Sequence, residues 1–346
     1  MSDTRRELIQ RLFPDGLPRL WCPPLTHFAD DGGLDRERMA AHLATLAPHV
    51  KGMLVPGSTG EAWEMDSTEA RELLHYVLDL AGDLGFQVLV GALHPDAAVE
   101  RQMVSETMAW LRERSGEGED LAALDASRVC GFAVCPPRGA GRTQQEIRDA
   151  LAAVLQFGLP TALYQLPQVT ECEMAPETVA DLAGAFDRLY LVKDSSGGDR
   201  VATSGLVPDD VFLVRGAETD YLRWYASAGG PYGGFLLSTA NCFAPLLTEM
   251  IEQADAGRLD RARLASEQVS RAIAGVFALV DDLPWGNRYT NANKAIDHFL
   301  AHGPAAGSLQ PPLLHSGVRL PQAVIEATGA HLAQLGLMPA AGYLEA

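Results

Sequence analysis

The sequence predicts an α/β fold, a (β/α)8 TIM barrel with a helical C-terminal extension, on three observations. Eight short runs are apolar throughout rather than alternating, as strands buried on both faces are. Amphipathic segments with helical spacing lie between these runs. The βα rhythm repeats to about Ala256 and then stops, and eight such units close a barrel. An open doubly wound sheet is the alternative, but no G-x-G-x-x-G follows any of the runs.

The expected strands are 20–23, 52–56, 87–91, 131–135, 161–165, 189–193, 211–216 and 234–238. Among the helices, Met39, Leu43 and Leu46 form one stripe, and Ile147, Leu151, Val154 and Leu155 another. A third stripe, Ala70, Leu73, Leu74, Val77 and Ala81, is preceded by Asp66 and Glu69, spaced as an N-cap and its capping partner. The segment 112–128 is polar and rich in Gly and Glu, an insertion expected to run through solvent. Beyond Ala256 the segments 258–279, 291–302 and 321–335 have helical patterns separated by Pro/Gly-rich turns. The expected division is a barrel over 1–257 and a helical extension over 258–346.

The composition is that of a globular protein, 47% hydrophobic and 21% charged, with ample apolar material for a core. No apolar run approaches the ~18–20 residues of a membrane span. The N-terminus MSDTRRELIQRLF lacks the apolar core and cleavage site of a signal peptide, so the expected compartment is the cytoplasm. The five cysteines are scattered and never spaced as C-x-x-C, which suits free buried thiols and not a zinc site. A formal net charge of −18 disfavours nucleic acid and anionic membranes as partners.

In a (β/α)8 barrel the chemistry sits at the C-terminal ends of the strands. Three of the expected ends are unusual. Lys193 closes the apolar run Leu189-Tyr190-Leu191-Val192. Burial favours its neutral amine, a nucleophile toward carbonyls. Otherwise it leaves the strand and pairs with Asp194. The run Gly57-Ser58-Thr59-Gly60-Glu61 brings small residues, N–H groups and hydroxyls together, enough to hold a carboxylate without arginine. Otherwise it is an ordinary turn. Tyr164 closes the run Thr161-Ala162-Leu163 and could shuttle protons at the barrel mouth, or serve as a core tyrosine.

In this order, G-S-T-G-E at 57–61, Y-Q-L-P at 164–167 and K-D-S-S-G at 193–197 resemble the dihydrodipicolinate synthase/N-acetylneuraminate lyase family. The segment Gly234-Phe235-Leu236-Leu237-Ser238-Thr239-Ala240-Asn241 resembles that family's eighth-strand motif. The resemblance implies a Schiff base between Lys193 and pyruvate or another 2-keto acid, with Tyr164 moving protons. It implies that Ser58 and Thr59 hold the keto-acid carboxylate, and that Thr59 bonds Tyr164. Gly57 would let the backbone approach the ligand, Gly216 would stand at the mouth of the site, and Leu236 would line the lysine. No metal or cofactor is implied, and the assembly would be a dimer or tetramer of barrels.

The departures matter as much. Many members of the family place two tyrosines after the fourth strand; this chain has Cys135-Pro136-Pro137-Arg138. The synthase branch places an arginine soon after Y-x-x-P, where Gln168-Val169-Thr170 stand here. Gln165 replaces an asparagine and Leu237 a serine. These changes argue against condensation of pyruvate with aspartate semialdehyde. The expected function is therefore cleavage or dehydration of a 2-keto-3-deoxy-type acid. A hydratase-aldolase is the alternative, and so is a non-catalytic keto-acid or sugar-acid binding protein. Arg138 and Arg142 could grip the tail of the substrate, or be exposed loop arginines. His94 could line the site or cap the next helix. His27, Asp30 and Asp31 have metal-ligand chemistry, but the turn-forming Asp30-Asp31-Gly32-Gly33 favours a solvated turn.

Overall fold

The computed structural model describes residues 4–345. Eight strands, β1 (Leu20–Cys22), β2 (Gly52–Val55), β3 (Gln87–Gly91), β4 (Val129–Val134), β5 (Thr161–Gln165), β6 (Leu189–Asp194), β7 (Phe212–Arg215) and β8 (Gly234–Leu236), close a barrel in chain order. Pairing is parallel, with Tyr164 beside Lys193 and Lys193 beside Val214. The helices that alternate with the strands are α1 (Arg5–Leu12), α2 (Arg36–Leu46), α3 (Ser67–Leu84), α4 (Ala97–Ser115), α5 (Asp120–Ala126), α6 (Gln144–Leu155), α7 (Pro167–Thr170), α8 (Pro176–Ala185), α9 (Arg200–Thr203) and α10 (Tyr221–Trp224). After β8 come α11 (Ala240–Asp255), α12 (Leu259–Val280), α13 (Arg288–His302) and α14 (Gln322–Gln334). The (β/α)8 TIM barrel with a helical C-terminal part is therefore the observed fold. Among the described residues no helix is long and apolar enough to cross a membrane.

The expected strands all form, with ends shifted by backbone chemistry. β4 begins two residues early, at Val129, because Gly131 sits inside it at φ +137 instead of opening it. β2 stops at Val55, before Pro56, which has no N–H to continue a ladder. β8 ends at Leu236, and the hydroxyls of Ser238 and Thr239 bond Glu218. The capping box of α3 forms as its spacing predicts, Asp66 accepting from Thr68 and Glu69 N–H while Glu69 accepts from Asp66 N–H. The segment 112–128 differs from expectation. Its first residues complete α4, and the rest folds as α5, which buries Ala123 and Leu124. Two apolar residues in a polar stretch are enough to seat a short helix.

The chain divides into two compact units. The first runs to Trp21 and adds Gln87–Ala217 and Trp224–Leu236. Its strands β4, β5 and β6 are buried along their whole length. Arg5 of α1 is buried there, donating to the carbonyls of Leu189 and Ala183 and pairing with Asp210. The second unit comprises Cys22–Phe86, Glu218–Arg223 and the chain from Leu237. Its core is the inner faces of α11, α12 and α13, with Leu247, Val269, Ile273 and Ile296 buried. Asn241 fastens it by accepting from Leu25 N–H and donating to the carbonyls of Pro23 and Ser238.

Two glycines predict opposite outcomes. A Cβ at Gly131 would stand 2.3 Å from the carbonyl oxygen of Pro160, at a φ that only glycine adopts freely. Gly82 lies inside α3 with open space around it. In thermal melts, Gly131→Ala should lower stability by about 1–3 kcal/mol, and Gly82→Ala should raise it by about 0.5–1 kcal/mol.

Candidate active site

Lys193 stands at the end of β6, 5% exposed, and its Nζ lies 3.8 Å from the ring centroid of Tyr164 on β5. Parallel register sets this, since Tyr164 and Lys193 are Cα partners and side chains at paired positions share a face. Asp194 points elsewhere: its Oδ1 accepts from the N–H and the hydroxyl of Ser196, and its Oδ2 is buried without a partner. Burial holds the Asp194 carboxyl above the usual carboxylate range. The pairing of Lys193 with Asp194, the structural alternative for this lysine, is thus not made. Gly216 lets Lys193 and Ser195 pack against the end of β7. A Cβ there would come within 2.8 Å of Lys193 Cε and 2.1 Å of Ser195 Oγ. Leu236 is fully buried in β8.

Around this end of the first unit the expected asparagine and tyrosines are replaced by self-contained contacts. Gln165 accepts from Met174 N–H at 2.7 Å, and its Nε2 donates back to Met174 O at 3.3 Å. Gln168 donates to Ser195 O at 3.0 Å. Cys135 N–H donates to Glu100, a buried carboxyl that desolvation pushes well up. The Cys135 thiol is raised by burial and by Glu100, and lowered by Lys193. Arg138 is exposed and paired with Glu171, its Nε donating at 2.9 Å, and Arg142 reaches Glu146. His94 is half-buried and accepts from Asp96 N–H at 3.0 Å, just before α4.

In the second unit, Gly57–Glu61 follows β2 through a cis Val55–Pro56 bond. Ser58–Gly60 is one 3-10 turn. Two glycines are required by close approach: a Cβ at Gly57 would meet Pro23 Cβ at 2.6 Å, and one at Gly60 would meet Pro24 O at 2.6 Å. The N–H groups of Gly60, Glu61 and Ala62 bond back to Gly57 and Ser58 carbonyls. Those of Ser58 and Thr59 open the turn, where N–H groups lack partners inside it. Trp63 Nε1 donates to Ser58 Oγ, which leaves the hydroxyl's own proton free to be donated. Trp63 was not legible as a site residue, for nothing in its spacing marks it.

Two further polar clusters lie in this unit. Glu218 accepts from Ser238 Oγ, Thr239 N, Thr239 Oγ1 and Tyr221 OH, and Asn293 donates to Ser238 Oγ at 3.1 Å. His27, His42 and Asp297 offer three potential metal-binding atoms within 4.8 Å, all buried. Their observed bonding is already complete in kind. His27 Nε2 and His42 Nδ1 share a proton at 2.9 Å, Arg38 donates to Asp297 at 2.9 Å, and Tyr343 OH donates to Asp297 at 3.0 Å. Tyr343 also stacks on His42, the rings 5.9 Å apart and 7° from parallel. The solvated turn holds for Asp30 and Asp31, which are exposed. It fails for His27, which the partner His42 draws inside.

Residues 128–283 match the profile of the Dihydrodipicolinate synthetase family. The 4-hydroxy-tetrahydrodipicolinate synthase of Xanthomonas axonopodis pv. citri is 30% identical over 223 residues, 64% of this chain and 67% of that protein. The chain belongs to the dihydrodipicolinate synthetase family. Members of the family are lyases and aldolases, and this chain is a divergent one. The synthase of Methanopyrus kandleri is 26% identical over 265 residues, 75% of this chain and 81% of that one. Among solved structures the fold is shared with YagE, a prophage protein of the family from E. coli in complex with pyruvate. The TM-score is 0.71 at 19% identity, covering 93% of this chain and 100% of that one. A 2-keto-3-deoxygluconate aldolase variant of Sulfolobus solfataricus has the same fold, with a TM-score of 0.71 at 12% identity and coverage of 92% and 96%.

The second unit carries a pH dependence. Burial and the nearby Arg38 lower His298 to about 4, and burial holds His27 well below the usual imidazole value. Both rings take up protons more readily in the unfolded chain. Between about pH 6.5, the ordinary imidazole value, and about 4, the value of His298 here, the unfolded state therefore binds more protons. Stability should be fully present above that window and fall as pH drops through it. His298→Leu should make the thermal midpoint less steep against pH over that range.

Proposed function

We propose that this protein is a class I lyase or aldolase in which Lys193 forms a Schiff base with pyruvate or another 2-keto acid. The observation that carries the reading is the buried Lys193 amine held 3.8 Å from the Tyr164 ring, with Gly216 letting the lysine pass close to the end of β7. The substrate class is a 2-keto-3-deoxy-type acid that is cleaved or dehydrated.

In this reading the neutral Nζ attacks the C2 carbonyl, and the carbinolamine loses water to give a protonated imine. The imine is the electron sink, so no metal or other cofactor is needed. In cleavage, a proton leaves the C4 hydroxyl, the C3–C4 bond breaks, and its electron pair enters the imine to form an enamine. Protonation at C3 and hydrolysis then release the keto acid and restore Lys193. Tyr164 moves protons at the carbinolamine and at the C4 oxygen. Ser58 and Thr59 take the carboxylate through N–H and hydroxyl groups, and Gly57 lets the backbone come close. Leu236 lines the lysine. Arg138 is the candidate for the tail, which would require it to leave Glu171.

Condensation with aspartate semialdehyde is outside this reading. Cys135-Pro136-Pro137 and Gln168-Val169-Thr170 supply neither the tyrosines nor the arginine of the synthase branch. A homodimer or homotetramer of barrels, acting in the cytoplasm without nucleic acid or membrane, belongs to the same proposal.

Borohydride reduction in the presence of pyruvate should leave a stable adduct on Lys193, located by peptide mass spectrometry; no adduct with any of a panel of 2-keto acids would refute the imine. Tyr164→Phe should lower turnover of the cleaved acid by at least ~10²-fold. Turnover equal to wild type would remove Tyr164 from the proton path, and a wild-type protein that binds 2-keto acids without turning any over would instead be a binding protein.

A further inference from the structure

The Ser58–Gly60 turn is held by side chains, and two of its three carbonyls are held from α13. Ser58 O accepts from Asn287 Nδ2 at 3.4 Å, Thr59 O from Thr290 Oγ1 at 2.9 Å, and Gly60 O from Thr26 Oγ1 at 2.7 Å. Asn287 is the N-cap of α13, and its Nδ2 also donates to Thr290 Oγ1 at 2.8 Å. The Thr290 hydroxyl therefore accepts from Asn287 and has its single proton committed to Thr59 O. Thr290 is fully buried, so no water replaces this bond.

The turn ends on Glu61, a buried residue at φ +66, in the left-handed region that side chains avoid. Glu61 pairs with the Nζ of Lys294, one helical turn beyond Thr290, and accepts from His315 N–H at 2.9 Å. Lys294 donates in addition to Leu313 O at 2.8 Å, and both members of the pair are buried. A buried ion pair with these extra bonds holds a backbone conformation that the residue would otherwise leave.

A trans peptide fixes its N–H opposite to its C=O. Holding Ser58 O therefore aims the N–H of Thr59, and holding Thr59 O fixes the peptide plane on its other side. We propose that Thr290, with Asn287 and the Glu61–Lys294 pair, positions Thr59 to receive the keto-acid carboxylate. This makes α13, far along the chain, a determinant of affinity for the keto acid. The inference rests on the reading of Ser58 and Thr59 as the carboxylate site. These four are positioning residues, since they act through the turn.

The test is the pyruvate concentration that gives half-maximal borohydride trapping on Lys193, measured in the full chain. Thr290→Val keeps size and removes the bond; it should raise that concentration about 5–10-fold and leave the plateau of trapping unchanged. Thr290→Ser keeps the hydroxyl and should restore the wild-type value. Wild-type half-saturation in a folded Thr290→Val protein overturns the proposal. So does a serine variant as impaired as the valine, which would make packing the cause. If the valine variant does not fold, Asn287→Ala, at a half-buried position, should show the same rise; no rise there overturns the proposal. Wild-type protein that traps no 2-keto acid at Lys193 fails the underlying reading, and this inference falls with it.

Discussion

A buried cation is tolerated only where bonds replace the water it gives up, and both units of this chain are arranged around that constraint. Removing an ion from water costs several kcal/mol even after relaxation, and a broken pair leaves its partner stranded. Arg5 meets this cost with two carbonyls and Asp210, Arg215 with Asp199, and Lys294 with Glu61 and Leu313 O, while the half-buried Arg38 takes the buried Asp297. Three of these pairs are long in sequence. Arg5 reaches Asp210, Arg38 reaches α13, and Glu61 reaches α13 from the turn after β2. Each one fixes a connection that periodic apolar packing alone would leave adjustable.

The two buried lysines differ in what surrounds their amines. Lys294 lies on a helix with a carboxylate and a carbonyl at its Nζ, so its charge is matched and its role is to hold the turn after β2. Lys193 ends a strand, and its Nζ faces the ring of Tyr164, while the neighbouring Asp194 is turned to Ser196. The glycine at 216 lets the lysine side chain and Ser195 pack where a Cβ would stand. The proposed imine chemistry draws on two of these features, burial and a neighbour that can carry a proton. The same barrel rim is reached by every strand's C-terminal end, because all pairings are parallel and the barrel closes.

At the motif positions after β4 and β5 this chain departs from the synthase branch. The residues that replace the synthase motifs make local contacts. Gln165 bonds the backbone of Met174, Gln168 bonds Ser195 O, and Arg138 pairs with Glu171. Glu218 gathers three hydroxyls and one N–H of its own unit. Substitutions of this kind keep the loops folded through contacts of their own.

The eight strands, their order and the cap of α3 were legible because they depend on near neighbours: apolar runs, helical stripes and one Asp–Glu spacing. Lys193, Tyr164 and the turn at 57–61 were legible because strand ends are the places where polar residues interrupt apolar runs. Residues 112–128 were misjudged because two buried apolar side chains among many polar ones leave almost no periodic signal. His27 was misjudged because its partners, His42 and the Asp297 carboxylate, belong to other helices. The sequence by itself determined which residues form the barrel and which lysine ends its sixth strand. Only the tertiary structure decided what that lysine faces, which carboxylate each buried cation takes, and that α13 holds the turn after β2. The contacts that hold that turn join residues more than two hundred positions apart, and no local pattern encodes such a pairing.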